Sequence, residues 1–145
     1  MSTERELRLC ALYPSVLSIY ADRGNVMVLR DRCNWRGIAF TAAAVEMDDQ
    51  LDGDFYDIYY IGGGQDRDQL RCAADLARHK RSALVAAADR GALIIGVCGG
   101  YQLLGHGYRL AEERLPGVGL LDLETVQGNG ERLIGNVAVQ VSLPG

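Results

Sequence analysis

The sequence predicts an α/β fold, an open and mostly parallel sheet with helices on both faces. Short apolar segments alternate with segments whose apolar residues recur at helical spacing, which is the pattern of βαβ units. Residues 92–97 hold no polar side chain, as is typical of a central parallel strand covered on both faces. Two glycine-rich turns directly follow apolar segments, and ligands of such sheets bind at the carboxyl ends of the strands.

The first half of the chain predicts three strands and one helix. Residues 7–12 are short and apolar, which indicates a buried strand. A helix begins within the polar stretch 21–25 and ends at Gly37, with apolar residues at helical spacing between them. The rest follows in order: a strand at 38–45, a charged loop at 48–54 and a strand at 57–61.

The second half continues the alternation. Residues 65–90 predict one helix, for which Gly91 is a suitable C-cap. The apolar strand at 92–97 comes next, followed by a helix from Gly99 through Leu104 and a late alternating strand at 134–142.

Composition and charge narrow the function classes. The chain has 145 residues, 48% of them hydrophobic, which predicts one packed domain over residues 1–145. A net charge of −4 argues against nucleic acid or an anionic membrane as the main partner. The polar N-terminus and the short first apolar run predict no signal peptide, no membrane span and a cytoplasmic location.

The cysteines predict neither a metal site nor disulfides. Cys10, Cys33, Cys72 and Cys98 lie far apart, and none has a Cys or His partner at ligand spacing. A reducing compartment disfavours disulfides, so three of them are expected only to pack.

Cys98 is different, because Gly-Val-Cys-Gly-Gly at 96–100 follows an apolar strand and precedes a helix. This is the nucleophile-elbow pattern, with cysteine at the apex. The sharp turn strains the apex residue, and Gly96 and Gly100 relieve crowding around it. The helix N-terminus favours the thiolate, and the Gly99 N–H points to where an oxyanion would form. The alternative is a structural cysteine in a turn.

The second glycine-rich turn is Gly62-Gly63-Gly64, after Tyr59-Tyr60-Ile61. Alone it indicates an ordinary turn, and it lacks the Gly-x-x-x-x-Gly-Lys-Ser/Thr of a phosphate loop. Beside the elbow, it is predicted to supply the second oxyanion N–H from an adjacent strand end.

Val97-Cys98-Gly99-Gly100-Tyr101-Gln102, with Gly-Gly-Gly-Gln-Asp at 62–66, resembles the class I, triad-type glutamine amidotransferases. Within them, Asp-Arg-Gly-Asn at 22–25 and Gly-Gly-Gly-Gln-Asp at 62–66 resemble the cobyric-acid-synthase-like branch. Arg-Leu-Ile-Gly-Asn at 132–136 is among the stretches that most resemble the glutaminase subunits of lipid II isoglutaminyl synthases. The resemblance covers nearly the whole chain. It implies the flavodoxin-like fold of class I glutaminases, lacking its C-terminal part.

The resemblance also implies the chemistry. Cys98 would form a glutamyl thioester, releasing ammonia from L-glutamine without a metal or cofactor. A Mur-ligase-like, ATP-dependent synthetase subunit would use that ammonia to amidate the D-glutamate of lipid II. The implied oxyanion donors are Gly62, Gly63 and Gly99, and the implied substrate-binding residues are Gln102 and Arg132.

The mechanism also needs a histidine base, which the family places beyond the Arg-Leu-Ile-Gly-Asn segment. This chain has only His79, in a basic helical context, and His106, just after the elbow helix. Both are interpreted as structural or surface residues. Two alternatives therefore stay open: a catalytically inactive amidotransferase-like binding module, and a cysteine hydrolase or redox-sensing relative on the same fold.

Overall fold

The computed structural model describes residues 5–19, 22–110, 113–131 and 135–142. The strands are β1 (Glu6–Leu12), β2 (Ala39–Val45), β3 (Ile58–Ile61), β4 (Leu93–Gly96), β5 (Gly107–Leu110), β6 (Glu113–Pro116) and β7 (Glu124–Val126). The helices are α1 (Asp22–Asn34), α2 (Asp66–Asp75), α3 (Arg81–Asp89) and α4 (Gly99–Leu104), with a π-helical turn (Leu76–Lys80) joining α2 to α3. Within these ranges, no helix has both the length and the apolar character needed to cross a membrane.

The main sheet has four parallel strands in the order β2-β1-β3-β4. The chain passes from β1 to β2 on one side and then returns to place β3 on the other side of β1. In sheets of this type, ligands bind at the carboxyl ends of the strands. The predicted α/β class is confirmed.

Helices cover both faces of this sheet, as predicted. Tyr59 and Ile61 of β3 belong to a buried cluster with the apolar residues of α2, the π-helical turn, α3 and α4. Ile58 and Tyr60 point to the opposite face, in a second cluster against which α1 packs. Because successive side chains of a strand alternate between faces, one apolar strand supplies both cores.

The helix predicted at residues 65–90 is interrupted by the π-helical turn. Asp75 and the fully buried Lys80 form an ion pair across it. In a regular α-helix, residues five apart lie about 140° apart around the axis. The extra residue of a π turn brings such a pair to one side of the helix. Burial of this charged pair explains the interruption of the helix, which the hydrophobic pattern could not show.

The prediction that residues 92–97 form a central strand is wrong for the described part of the chain. β4 pairs with β3 and with no other described strand, and its Leu93 is 54% exposed. An apolar pattern indicates that a strand tends to be buried, whereas its position in the sheet depends on which strands pair with it.

The C-terminal region also differs from the prediction. β5, β6 and β7 form a separate small sheet in the order β6-β5-β7, which the sequence did not indicate. Residues 135–142, the described part of the predicted strand 134–142, form no strand. Val137 and Val139 there are 84% and 76% exposed. Alternation marks one apolar side, but a strand also needs a neighbour for its backbone hydrogen bonds.

Candidate active site

Cys98 occupies a strained apex between β4 and α4. Its backbone has φ 50° and ψ −108°, a combination that non-glycine residues rarely adopt. Such conformations cost about 1–3 kcal/mol and cluster at functional sites. The predicted elbow geometry is confirmed, and its thiol is exposed.

The two glycines that flank Cys98 have no room for a side chain. A Cβ atom on Gly100 would lie 2.3 Å from the carbonyl oxygen of Ile61, and one on Gly96 would lie 2.8 Å from Cδ1 of Leu104. Both distances are well inside van der Waals contact. The elbow therefore packs directly against the end of β3 on one side and against its own helix on the other.

The two glycine-rich turns lie side by side, as predicted, at the carboxyl ends of β3 and β4. The Val97 N–H donates to the Ile61 carbonyl at 3.0 Å, and the Gly100 N–H donates to the Gly62 carbonyl at 3.1 Å. These bonds join the glycine loop, defined as Gly62–Gly64, to the elbow. Whether the loop contributes an oxyanion donor stays a prediction.

A buried aspartate holds the middle of the glycine loop. Asp22 is 4% exposed, and its Oδ2 accepts the Gly63 N–H at 3.2 Å while its Oδ1 accepts the Tyr60 hydroxyl at 2.8 Å. Burial is the main cause that raises the pKa of Tyr60 to about 12, with Asn25 opposing and Asp22 adding to it. The phenol therefore keeps its proton at neutral pH, and Gly63 would have to exchange its bond to Asp22 before it could serve an oxyanion.

Cys98 and Gln102 line one cavity of about 880 Å³. Its other walls come from the start of α2, from the small sheet and from the segment after it, and most of these side chains are polar. They include Gln65, Asp66, Arg67, Gln69, Gln127 and Glu131. Amides and charges of both signs suit a small zwitterionic ligand better than an apolar one.

The remaining predicted site residues are the three glycines and Arg132. Gly99 is buried at the start of α4, and its N–H donates to no group among the described residues. Gly62 and Gly63 are buried, and neither is among the residues that line this cavity. Arg132 lies outside the described residues, next to Glu131.

Neither histidine lines the cavity in the described part of the chain. His106 lies beyond α4, where its Nε2 contacts Oδ1 of Asp122 at 2.9 Å. His79 is exposed on the π-helical turn. No described histidine is therefore placed to act as a base for Cys98.

Two residues that shape the site, Asp22 and Gln69, were not predicted from the sequence. Asp22 stands in the Asp-Arg-Gly-Asn motif, so its signal was present but had no assigned role. Gln69 carries no signal, because a polar residue in the first turn of a helix is ordinary.

Limited alkylation at neutral pH is expected to modify Cys98 first. Burial raises the pKa of Cys10 to about 12 despite the nearby charge of Lys80, and burial likewise raises the pKa of Cys72 to about 12. Such thiols are ionised in about one molecule in 10⁵ at pH 7. Cys33 is buried, whereas Cys98 is exposed. Mass-spectrometric mapping after substoichiometric iodoacetamide tests the order, with the denatured chain as control. Earlier labelling of Cys33 or Cys72 would contradict it.

The chain resembles known proteins over most of its length. Residues 8–144 match the family model described as the CobB/CobQ-like glutamine amidotransferase domain. The chain is 33% identical over 135 residues to the lipid II isoglutaminyl synthase (glutamine-hydrolyzing) subunit GatD of Streptococcus pneumoniae, covering 92% of this chain and 52% of that protein. The corresponding subunit of Staphylococcus aureus is 32% identical over 136 residues, covering 93% and 55%.

Other similarities cover less of the chain. A cobyric acid synthase of Methylorubrum populi is 47% identical over 51 residues, 31% of this chain and 10% of that protein. A solved structure of PurLQS from Thermotoga maritima aligns with 68% of this chain and 42% of that chain, at 31% identity and a TM-score of 0.46. The chain thus spans about half the length of the curated relatives that match it over most of its residues.

Proposed function

The chain belongs to the CobB/CobQ-like glutamine amidotransferase family, and we propose that it forms the nucleophile-bearing part of a glutaminase that works through Cys98. The observation that carries this proposal is the strained Cys98 elbow, which opens on a polar cavity beside the glycine loop. Strained backbone at an exposed thiol is costly, and a catalytic nucleophile explains why it is kept.

The proposed reaction has two steps. The Cys98 thiolate attacks the side-chain amide carbon of glutamine, and the Gly99 N–H stabilises the oxyanion. Collapse of this intermediate breaks the C–N bond, and the nitrogen leaves as ammonia after taking a proton from a general acid. Water then adds to the thioester, which releases glutamate and restores the thiol.

Substrate contacts are assigned to the cavity wall. Gln102 faces the same cavity as Cys98, which supports a contact with glutamine. For Arg132 the support is the family resemblance. The general base is assigned to a histidine outside this chain, because neither His79 nor His106 lines the cavity.

The relatives support a proposal for the ammonia acceptor. Proteins 32–33% identical over 92–93% of this chain are named as glutamine-hydrolysing subunits of lipid II isoglutaminyl synthase. We therefore assign the ammonia to amidation of the D-glutamate of lipid II in the cytoplasm. A Mur-ligase-like, ATP-dependent synthetase subunit, forming a heterodimer with the glutaminase, would perform that step.

The absence of a histidine from the cavity, as far as it is described, also supports the alternative of an inactive binding module. Such a module would bind glutamine without turning it over in any longer form of the protein. A redox-sensing cysteine would instead be oxidised by peroxide without regard to glutamine.

A chloroketone analogue of glutamine is expected to alkylate Cys98 in this chain, with L-glutamine protecting it. The Cys98 thiolate, whose proton has passed to solvent, adds to the ketone carbonyl. The sulfur then displaces chloride, which restores the carbonyl and leaves a thioether, so a separate base is not needed for the adduct. Intact-mass and peptide analysis measure the labelling, and D-glutamine is the matched control that should protect at least about 10-fold less well, since only L-glutamine would make the site's full set of polar contacts. Equal protection by both enantiomers, or no adduct, would contradict a glutamine site.

A further inference from the structure

Gln69 is a buried amide placed between the glycine loop and the elbow. It lies in the first turn of α2 and is 2% exposed. Its Nε2 donates to the Gly64 carbonyl at 3.3 Å. A Cβ atom added to Gly99 would lie 2.6 Å from that same Nε2 and 2.7 Å from Cδ of Gln69. One planar side chain therefore touches both turns.

The other end of this amide is unusual. Oε1 of Gln69 is the single buried side-chain oxygen or nitrogen without a hydrogen-bond partner among the described residues. A buried acceptor without a partner destabilises the folded state, and such groups in native structures call for an explanation. A methionine would fill similar space without that cost. Stability alone therefore does not explain a glutamine here.

We propose that Gln69 is a positioning residue that fixes the spacing between the glycine loop and Gly99, and so aligns the oxyanion donors with Cys98. The inference rests on the proposed glutaminase function. Its amide plane limits how closely the elbow approaches the loop, and its hydrogen bond to Gly64 limits how far the loop can move away. Gly99 has to be glycine because the amide occupies the place of its side chain.

The test compares two reagents that have different requirements for reaction with Cys98. Iodoacetamide needs only a reachable thiolate, whereas the chloroketone also needs a bound amino acid and stabilisation of the oxyanion at its carbonyl. In the 145-residue chain, Gln69→Met is expected to leave the iodoacetamide rate within about 2-fold while the maximal chloroketone rate falls about 10- to 100-fold, the effect expected of misplacing a reacting group by about 1 Å. The chloroketone concentration at half-maximal rate should change little.

Stability supplies an independent readout. Gln69→Met removes one hydrogen bond together with an unpaired buried acceptor, so the melting temperature should stay equal or rise. Gln50→Met makes the same change at an exposed position and should alter neither rate. An unchanged ratio of the two rates in Gln69→Met would overturn the proposal, as would a parallel fall of both rates with a lower melting temperature.

A second pair of variants keeps the proposal testable if Gln69→Met does not fold. Gly99→Ala should lower the chloroketone rate because the new methyl group meets the Gln69 amide. In a Gln69→Ala background the same substitution should lower that rate by a smaller factor, because the space is then free. Equal losses in the two backgrounds would overturn the proposal. A wild-type chain that reacts with iodoacetamide but not with the chloroketone would instead refute the glutaminase function itself.

Discussion

Replacing Cys98 by alanine in a chain extended to include the proposed histidine base is expected to lower glutamine hydrolysis about 10⁶-fold, to background. The physical reason is that no thioester can form without the thiol. The remaining oxyanion donors and cavity contacts can then assist only a direct attack of water on the amide. Release of glutamate and ammonia, with and without the proposed synthetase subunit, measures the effect. Cys33→Ala is the matched control, because Cys33 is buried away from the cavity and should retain turnover.

The same assay tests whether the general base lies outside the residues of this chain. The 145-residue chain alone should turn over glutamine about 10²–10⁴-fold more slowly than the extended chain, since no described residue that lines its cavity is a histidine. Comparable rates for the two would show that the base lies within these residues. His106→Ala would then be the first variant to examine.

The largest expected effect on stability is that of Asp75→Ala. Lys80 is fully buried and pairs with the Asp75 carboxylate, which also accepts the Tyr13 hydroxyl at 2.6 Å and the Asp48 N–H at 3.2 Å. Removing the carboxylate leaves a buried ammonium without its counter-charge, at a cost of about 3–5 kcal/mol. The total free energy of unfolding of such domains is about 5–15 kcal/mol, so the urea midpoint of Asp75→Ala should be markedly lower than that of the wild type.

A double variant serves as the control for this network. Asp75→Leu with Lys80→Met removes both charges and keeps the volume, and its stability should lie within about 2 kcal/mol of the wild type, because replacing a whole buried pair is often neutral. Equal destabilisation by the single and the double variant would mean that packing around the π-helical turn, and not charge pairing, is what matters.

The pH dependence of this network has a definite sign. Burial raises the pKa of Asp75, but hydrogen bonds from Lys80 and Tyr13 and from the Asp48 N–H outweigh it, so the net shift is downward. A carboxyl with a lowered folded-state pKa stabilises the fold above its unfolded pKa of about 3.9, and that contribution disappears as the pH falls through the folded value. The stability difference between wild type and Asp75→Ala should therefore shrink below about pH 4.

The elbow could be predicted from the sequence because all of its causes are local. The apolar run before Cys98, the glycines two positions away on each side and the helix after it act within a few residues of backbone. Steric limits on φ and ψ then leave few conformations for the apex. The alternation of strands and helices is also local, since each element repeats its own period. The α/β class and the position of the nucleophile followed from these patterns.

Other features depend on residues that are distant in the chain. The bond from Gly63 to Asp22 joins positions 41 apart, and the hydroxyl of Tyr13 reaches an aspartate 62 positions away. The π-helical turn, the place of β4 in the sheet and the contact of Gln69 with both glycine-rich turns likewise depend on which surfaces pack together. A sequence pattern reports whether a side chain tends to be buried, but only the packed chain decides which group it meets there, because hydrogen-bond partners and steric limits are set by three-dimensional proximity.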